Sequence, residues 1–438
     1  MTDPLIYARF VHFAATIAAA GVVFFVVLVF EPAARGAAAD SARVFKSLRA
    51  PLAAIAWIGL ALSIASGAAW LVLTAAAMSG QSVAEALAPD VLWTVLSQTT
   101  FGIGWLVRFV LACGLAAAFV RLLAADTDKP LWLEMAALAM AVAFVGSLAW
   151  AGHAIGGQGF EGVLHPAADA LHLIAAAFWL GTLVPLALLL GSAADDAGAL
   201  ATMRAATLRF SSLGLAAVGT LLASGIVNTW YLVGSIGALL GTDYGRLVLV
   251  KIALFLLMVA VAAVNRLRLT PQLVDDRRAA LIETARRQLR RNAAIEASLG
   301  ALVIAVVAVL GVLPPGSHDH PVSELAIPVD ASFQHIHTEQ GMADVVIEPG
   351  RVGTAAAKIH LSNDEGDTLD AREVMLRLTA PTSASQPMTY VAARIDNDNW
   401  QADGVVLTEP GDWSIEVDAL LRSGKRLELK AGIVIDAN

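Results

Sequence analysis

Four histidines stand in or beside long apolar runs of this 438-residue sequence: His12, His153, His165 and His172. An ionisable side chain at membrane depth is costly and is found facing a bundle interior or a water-filled cavity. Imidazole is a common ligand for copper, zinc, iron and nickel, so several of them near one region would suit a metal ion. At 1.5 Å per helical residue, His12 and His172 each fall about 10 Å inside the N-terminal end of their runs. His153 follows the end of one run and His165 precedes the start of the next.

Helical spacing groups further polar residues with them. Arg9, His12 and Thr16 share one helical face, as do Asp169, His172 and Trp179. Ser147, Trp150 and His153 form a third stripe, and Thr220, Ser224, Asn228 and Tyr231 a fourth. Arg108 and Lys251 lie inside two other runs. Each also has a structural reading. A histidine can fix helix packing through a hydrogen bond, Asn228 can join two helices, and Asp169 can form an internal ion pair with Arg108 or Lys251.

A second set of candidate ligands lies near the C-terminus: His335 and His337, with Met342 close by, then His360 and the pair His318 and His320. His-x-His on a strand puts both rings on one face, because side chains alternate with period two. Such a pair suits Cu(II), and Met342 would favour Cu(I). His318 and His320 also read as solvated linker residues. None of these histidines can form an amino-terminal brace, since no free α-amine is available there.

The elements that must position these residues are of two kinds. Eight apolar runs are long enough to cross a bilayer, at about Leu5–Phe30, Leu52–Met78, Phe101–Ala124, Leu131–Ala151, Ala167–Leu190, Leu208–Val233, Leu247–Leu267 and Ala293–Leu313. The first is too long for a signal-peptide core and has no basic leader. Beyond Pro314-Pro315-Gly316 the pattern changes to short alternations such as Trp413, Ile415, Val417 and Ala419. Alternation of this kind predicts half-buried strands, six to eight of them over about 115 residues, in a β-sandwich. The expected fold is therefore an α-helical membrane bundle over residues 1–314, a linker at 315–323 and an all-β domain over 324–438.

Charge sets the orientation. Connections one, three, five and seven carry Lys and Arg, among them Arg43, Lys46, Arg121, Arg204 and Arg266. Connections two and four carry none, and the sixth only Arg246 at its border. Basic connections stay cytoplasmic, so both termini are expected outside. Six arginines between Asp275 and Arg291 predict an interfacial helix against anionic lipid. Residues 1–317 hold 20 Lys and Arg against 17 Asp and Glu, whereas residues 318–438 hold 9 against 20. The outer domain is thus acidic, with a net charge of −11. The single cysteine, Cys113, cannot form an internal disulfide and reads as a packing residue. No P-loop, dinucleotide fingerprint or nucleophile–base pair is present, which argues against an ATP-driven pump, a hydrolase or any other enzyme, and nothing points to nucleic acid.

The segment from Asp169 through His172 and Trp179 to Gly181 resembles the copper resistance D family of bacterial inner-membrane proteins. So do Arg209-Phe-Ser-Ser-Leu, Ser224-Gly-Ile-Val-Asn228-Thr-Trp230, the stretch from Leu240 to Lys251, and Asn265 to Pro271. The resemblance implies copper tolerance or copper uptake across the inner membrane, often beside a periplasmic copper carrier of the CopC type. The C-terminal segment resembles small periplasmic β-domains of the YtkA/FixH type. Copper transport is the expectation. Copper delivery to another protein without transport, and a b-type haem protein with His12 and His172 as axial ligands, are the alternatives.

Overall fold

The computed structural model describes residues 3–35, 38–124, 130–151, 161–192, 197–274, 279–313, 328, 330–338, 341–362, 368–381, 387–396 and 399–437. The chain divides into two compact units, Met1–Pro315 and Gly316–Asn438. The first contains eight helices long and apolar enough to span a membrane: α1 (Pro4–Ala34), α2 (Ser41–Ser79), α3 (Thr100–Leu122), α4 (Leu131–Trp150), α5 (Leu164–Gly191), α6 (Gly198–Val233), α7 (Asp243–Leu273) and α8 (Ala280–Leu310).

Two spans form the centre. The most apolar window of α1 is 78% buried and that of α5 is 61% buried, against 11% for α7, so α1 and α5 are the inner pair. Small residues let them touch. Gly21 and Gly181 lie backbone to backbone, and a Cβ on either would overlap the other. Without water to drive helices together in lipid, such close backbone packing is a main source of association. Phe24, Phe25, Phe30, Phe119, Phe144 and Leu189 fill the core around the pair.

Short elements end some spans. Helix Pro89–Gln98 precedes α3, where Thr99 caps the Gly102 amide at 2.9 Å. Helix Ile236–Gly241 precedes α7, where Thr242 caps the Gly245 amide at 2.9 Å. A hydroxyl at the N-cap takes one of the amides the helix leaves unpaired.

Two expectations change. The arginine-rich stretch from Ala279 onward is continuous with the last span in one helix, Ala279–Leu310. Arg286 explains why: it pairs with Glu283 and donates to the carbonyls of Leu190 and Ser192, tying this end to the end of α5. Cys113 sits on the exposed face of α3 rather than in the packing. In a span, an apolar neighbourhood in sequence does not say which side meets lipid.

The second unit is an eight-stranded antiparallel barrel or sandwich. Its strands are β1 (Ser332–Thr338), β2 (Gly341–Glu348), β3 (Gly353–Ser362), β4 (Ala371–Thr379), β5 (Met388–Arg394), β6 (Asn399–Leu407), β7 (Gly411–Leu421) and β8 (Arg426–Ile435). The order is β1-β2-β3-β6-β5-β4-β7-β8. Ser332 donates to the Val434 carbonyl, so the two end strands β1 and β8 lie against each other. Trp413, Ile415, Val417 and Ala419 all point into its core, as their alternation predicts.

Candidate functional site

His12 on α1 is fully engaged. Its Nδ1 donates to the Ser63 carbonyl at 2.9 Å, with Ser66 Oγ at 3.2 Å. Its Nε2 accepts from Arg108 Nη2 at 2.9 Å. Arg108 spends its other donors on the Phe144 carbonyl, Ser147 Oγ and Thr16 Oγ1, and its guanidinium lies over the Phe144 ring. Trp105 closes the remaining gap by donating to the Gly67 carbonyl at 2.9 Å. The spaces beside His12 are about 20 and 10 Å³. That is room for a water molecule or so.

His172 on α5 is held differently. Its Nδ1 lies 3.0 Å from Ser224 Oγ, and that hydroxyl donates to the Thr220 carbonyl at 2.6 Å. Ser224 therefore accepts from Nδ1–H, which makes Nε2 the lone-pair nitrogen, the arrangement of a metal-binding imidazole. His172 lines a cavity of about 470 Å³ in the cleft between α6 and α7, together with Trp179, Lys251 and Phe255. The cavity reaches Gly234, Ser235 and Ile236 at the α6–α7 connection. One turn before His172, Asp169 accepts from Asn228 Nδ2 at 3.1 Å, and Lys251 lies within electrostatic range of both Asp169 and His172. Asn228 Oδ1 is buried with no hydrogen-bond partner. Imidazole nitrogen, carboxylate and a free amide oxygen are donors suited to a cation of borderline softness.

Trp179, buried at 2% exposure, forms the floor of this cavity and the roof of a second one of about 330 Å³. Its Nε1 donates to Glu296 Oε2 at 3.1 Å. Asn265 donates to Glu296 Oε1 at 2.7 Å and accepts from Asn292. Glu296, Asn265 and Arg266 line the second cavity. Glu296 was not among the sequence candidates. The signal for it was available: a carboxylate inside an apolar run, four residues after Asn292.

The remaining candidates distribute as follows. His165 stacks on Tyr231 at 4.8 Å and is half-buried. His153 lies outside the described residues, as do His318 and His320. His12 and His172 belong to separate networks, and His12 does not line the large cavity. Among the described residues, no three His, Cys, Asp or Glu side chains form a metal-holding group.

In the β unit, register aligns His335, Asp344 and His360 across β1, β2 and β3, with His337 opposite Met342 in the next row. His335 Nδ1 meets Asp344 Oδ1 at 2.6 Å. His360 Nδ1 is buried with no hydrogen-bond partner.

Comparison with known proteins gives two family models. "Copper resistance protein D-like, N-terminal domain" matches residues 1–163, and "Copper resistance protein D" matches residues 204–310. Copper resistance protein D of Pseudomonas syringae pv. tomato is 34% identical over 283 residues, covering 64% of this chain and 88% of that relative. Copper transport protein CutJ of Bacillus subtilis (strain 168) is 25% identical over 374 residues, 84% of this chain and 63% of the relative. Inner membrane protein YebZ of Escherichia coli (strain K12) is 30% identical over 259 residues, 57% of this chain and 82% of the relative.

Proposed function

This chain belongs to the copper resistance protein D family, and from that premise we propose that it moves copper ions across the cytoplasmic membrane through the two cavities that meet at Trp179. The observation that carries the reading is that shared residue. A cavity beside His172 and another beside Glu296 share Trp179 as a lining residue, and its indole is hydrogen-bonded to the carboxylate.

In this reading the basic connections are cytoplasmic, so the His172 end faces outward and the acidic β unit lies in the periplasm. Copper entering at the α6–α7 connection meets His172 Nε2, with Asp169 and Asn228 Oδ1 as oxygen donors. Until the ion arrives, Lys251 balances the charge of Asp169; the ion takes over that role. Displacement of Trp179 from Glu296 then opens the way to the second carboxylate and to Arg266 at the inner end. His165, stacked on Tyr231, stands at the rim of this region, and His153 would be a further donor there.

The test is copper flux into proteoliposomes. Wild-type protein should carry copper, His172→Ala should reduce the flux at least tenfold, and Trp179→Ala should change it. Normal copper binding with no flux would replace transport by delivery to another protein. A reporter active only in the periplasm, fused after Asn438, should be active; silence there would reverse the direction assigned to the path.

A second reading concerns the β unit. His335, His337 and Met342 form a copper-receiving face, favoured by the in-register row with Asp344 and by the unpartnered Nδ1 of His360. The net −11 of residues 318–438 would raise the local cation concentration. A soluble carrier of the CopC type would be a natural donor to this face.

A further inference from the structure

Gly21 and Gly181 touch each other, and they are 160 positions apart. The same offset takes His12 to His172. Two equivalent residues in mutual contact are the mark of a two-fold axis running between their helices. The neighbouring spans repeat in step. Ala65-Ser66-Gly67 of α2 recurs as Ala223-Ser224-Gly225 of α6. Thr99, Phe101, Gly102 and Arg108 recur as Thr242, Tyr244, Gly245 and Lys251, at a constant offset of 143.

The geometry repeats with the sequence. Ser66 donates to the carbonyl four residues earlier, Leu62, and Ser224 does the same to Thr220. A Cβ built on Gly67 would lie 3.1 Å from His12 Cε1, and one on Gly225 would lie 3.5 Å from His172 Cε1. Gly102 is pressed against the carbonyl of Val95, and Gly245 against that of Ala238, which is the equivalent position. Helix α4 packs on α1 and α5, and α8 packs on α5 and α1, as a two-fold axis requires. Four spans per copy is an even number, so both copies cross in the same sense, with the axis along the membrane normal.

We infer that the transmembrane unit is an internal duplication of a four-span module in which the first copy of the histidine site is plugged and the second is open, and that Val248 is the residue that keeps it open. Val248 stands where the first copy has Trp105. The Trp105 indole donates to the Gly67 carbonyl and stacks on Phe109, leaving about 20 Å³ beside His12. Val248 borders the cavity of about 470 Å³ beside His172. The cations differ in the same direction. Arg108 occupies His12 Nε2, helped by Thr16; the counterpart of Thr16 is Ala176, which offers no such anchor to Lys251. The first copy is thus a rigid frame and the second the working site.

The test has two arms, and only the second rests on the copper reading above. In a Cys113→Ala background, Ala176→Cys places a thiol in the open cavity, one turn beyond His172. A small water-soluble methanethiosulfonate reagent should label it, and adding Val248→Trp should slow labelling at least tenfold. Should V248W not accumulate, Val248→Leu and Val248→Phe should slow labelling in order of size. The second arm measures copper uptake, which V248W should also lower at least tenfold. Unchanged labelling in folded V248W, or in both graded variants, overturns the assignment of Val248. Slowed labelling with normal copper uptake upholds the plug and removes copper from this cavity.

Discussion

Ser224 accepts the Nδ1 proton of His172 at 3.0 Å because its own hydroxyl proton is already given to the Thr220 carbonyl at 2.6 Å. This pair fixes which imidazole nitrogen keeps its lone pair. The equivalent nitrogen of His12 is occupied by Arg108 at 2.9 Å. The two histidines should therefore respond differently to removal. His172→Ala should abolish copper-dependent growth while membrane levels stay within about twofold of wild type. His12→Ala leaves a buried guanidinium short of an acceptor, and a hydrogen bond to a charged group is worth about 1.5–3 kcal/mol. Its main effect should be loss of folded protein, read by immunoblot of membranes. Loss of the protein with His172→Ala would make that residue structural.

Lys251 and Asp169 are in electrostatic range of one another. If each offsets the other's charge, Lys251→Met should reduce protein level and uptake more than Lys251→Met combined with Asp169→Asn. Fluorescence-detected size-exclusion of the two variants compares them directly. Equal damage would mean that the charges do not compensate.

The Gly21–Gly181 crossing leaves no room for a side chain. Gly181→Val should destabilise the detergent-solubilised protein by about 1–3 kcal/mol or more, the usual range for overpacking. Gly214 has nothing within 4 Å of an added Cβ. Gly214→Ala should leave the thermal transition in place and serves as the control.

In the β unit, Asp418 is 3% exposed and is bound by Arg426 and Arg377. The hydrogen bond from Arg426 and then the two positive charges hold its carboxyl below the usual range. A carboxyl depressed on folding binds fewer protons folded than unfolded. Its stabilisation is complete above the unfolded value of about 3.9 and fades as pH falls through the folded one. The Tm advantage of the wild-type unit Gly316–Asn438 over its Asp418→Asn variant should be constant from about pH 7 to 5 and shrink below about pH 4. An advantage that grows on acidification would reverse this assignment.

The outer face of β1–β3 gives a final expectation. The unit Gly316–Asn438 has its own core and should fold alone. It should bind one copper far more tightly than magnesium, and His335→Ala with His337→Ala should remove that binding without lowering the unfolding free energy by more than about 0.5 kcal/mol, as for ordinary surface changes. Calorimetric titration of both proteins measures this. Weak, salt-screened binding unaffected by the double change would leave only the field of the acidic surface.

Much of the architecture was legible from residue order. Eight runs of apolar residues give eight spans, because a bilayer leaves a segment of that length little alternative to a helix. Alternation from Val374 to Leu378 and from Trp413 to Ala419 gives core-facing strands, because side chains alternate across a pleat. Of the site, the sequence indicated which residues were costly to bury: His12, Arg108, Asp169, His172 and Lys251. It did not indicate partners. Arg108 reads equally well as a mate for Asp169, yet it binds His12, because α3 packs beside α2 and α4 rather than against the N-terminal end of α5.

The sequence by itself determined the kinds of element and the number of spans, since those follow from local periodicity and from the length of each apolar run. Only the tertiary structure decided that Ser63 and Arg108 close on His12, that Ser224 takes the Nδ1 proton of His172, and that Trp179 reaches Glu296 across 117 positions of chain. The rotation of each span about its own axis decides these pairings. That rotation is set by contacts such as Gly21 on Gly181, made between helices far apart in the chain and invisible in either one alone.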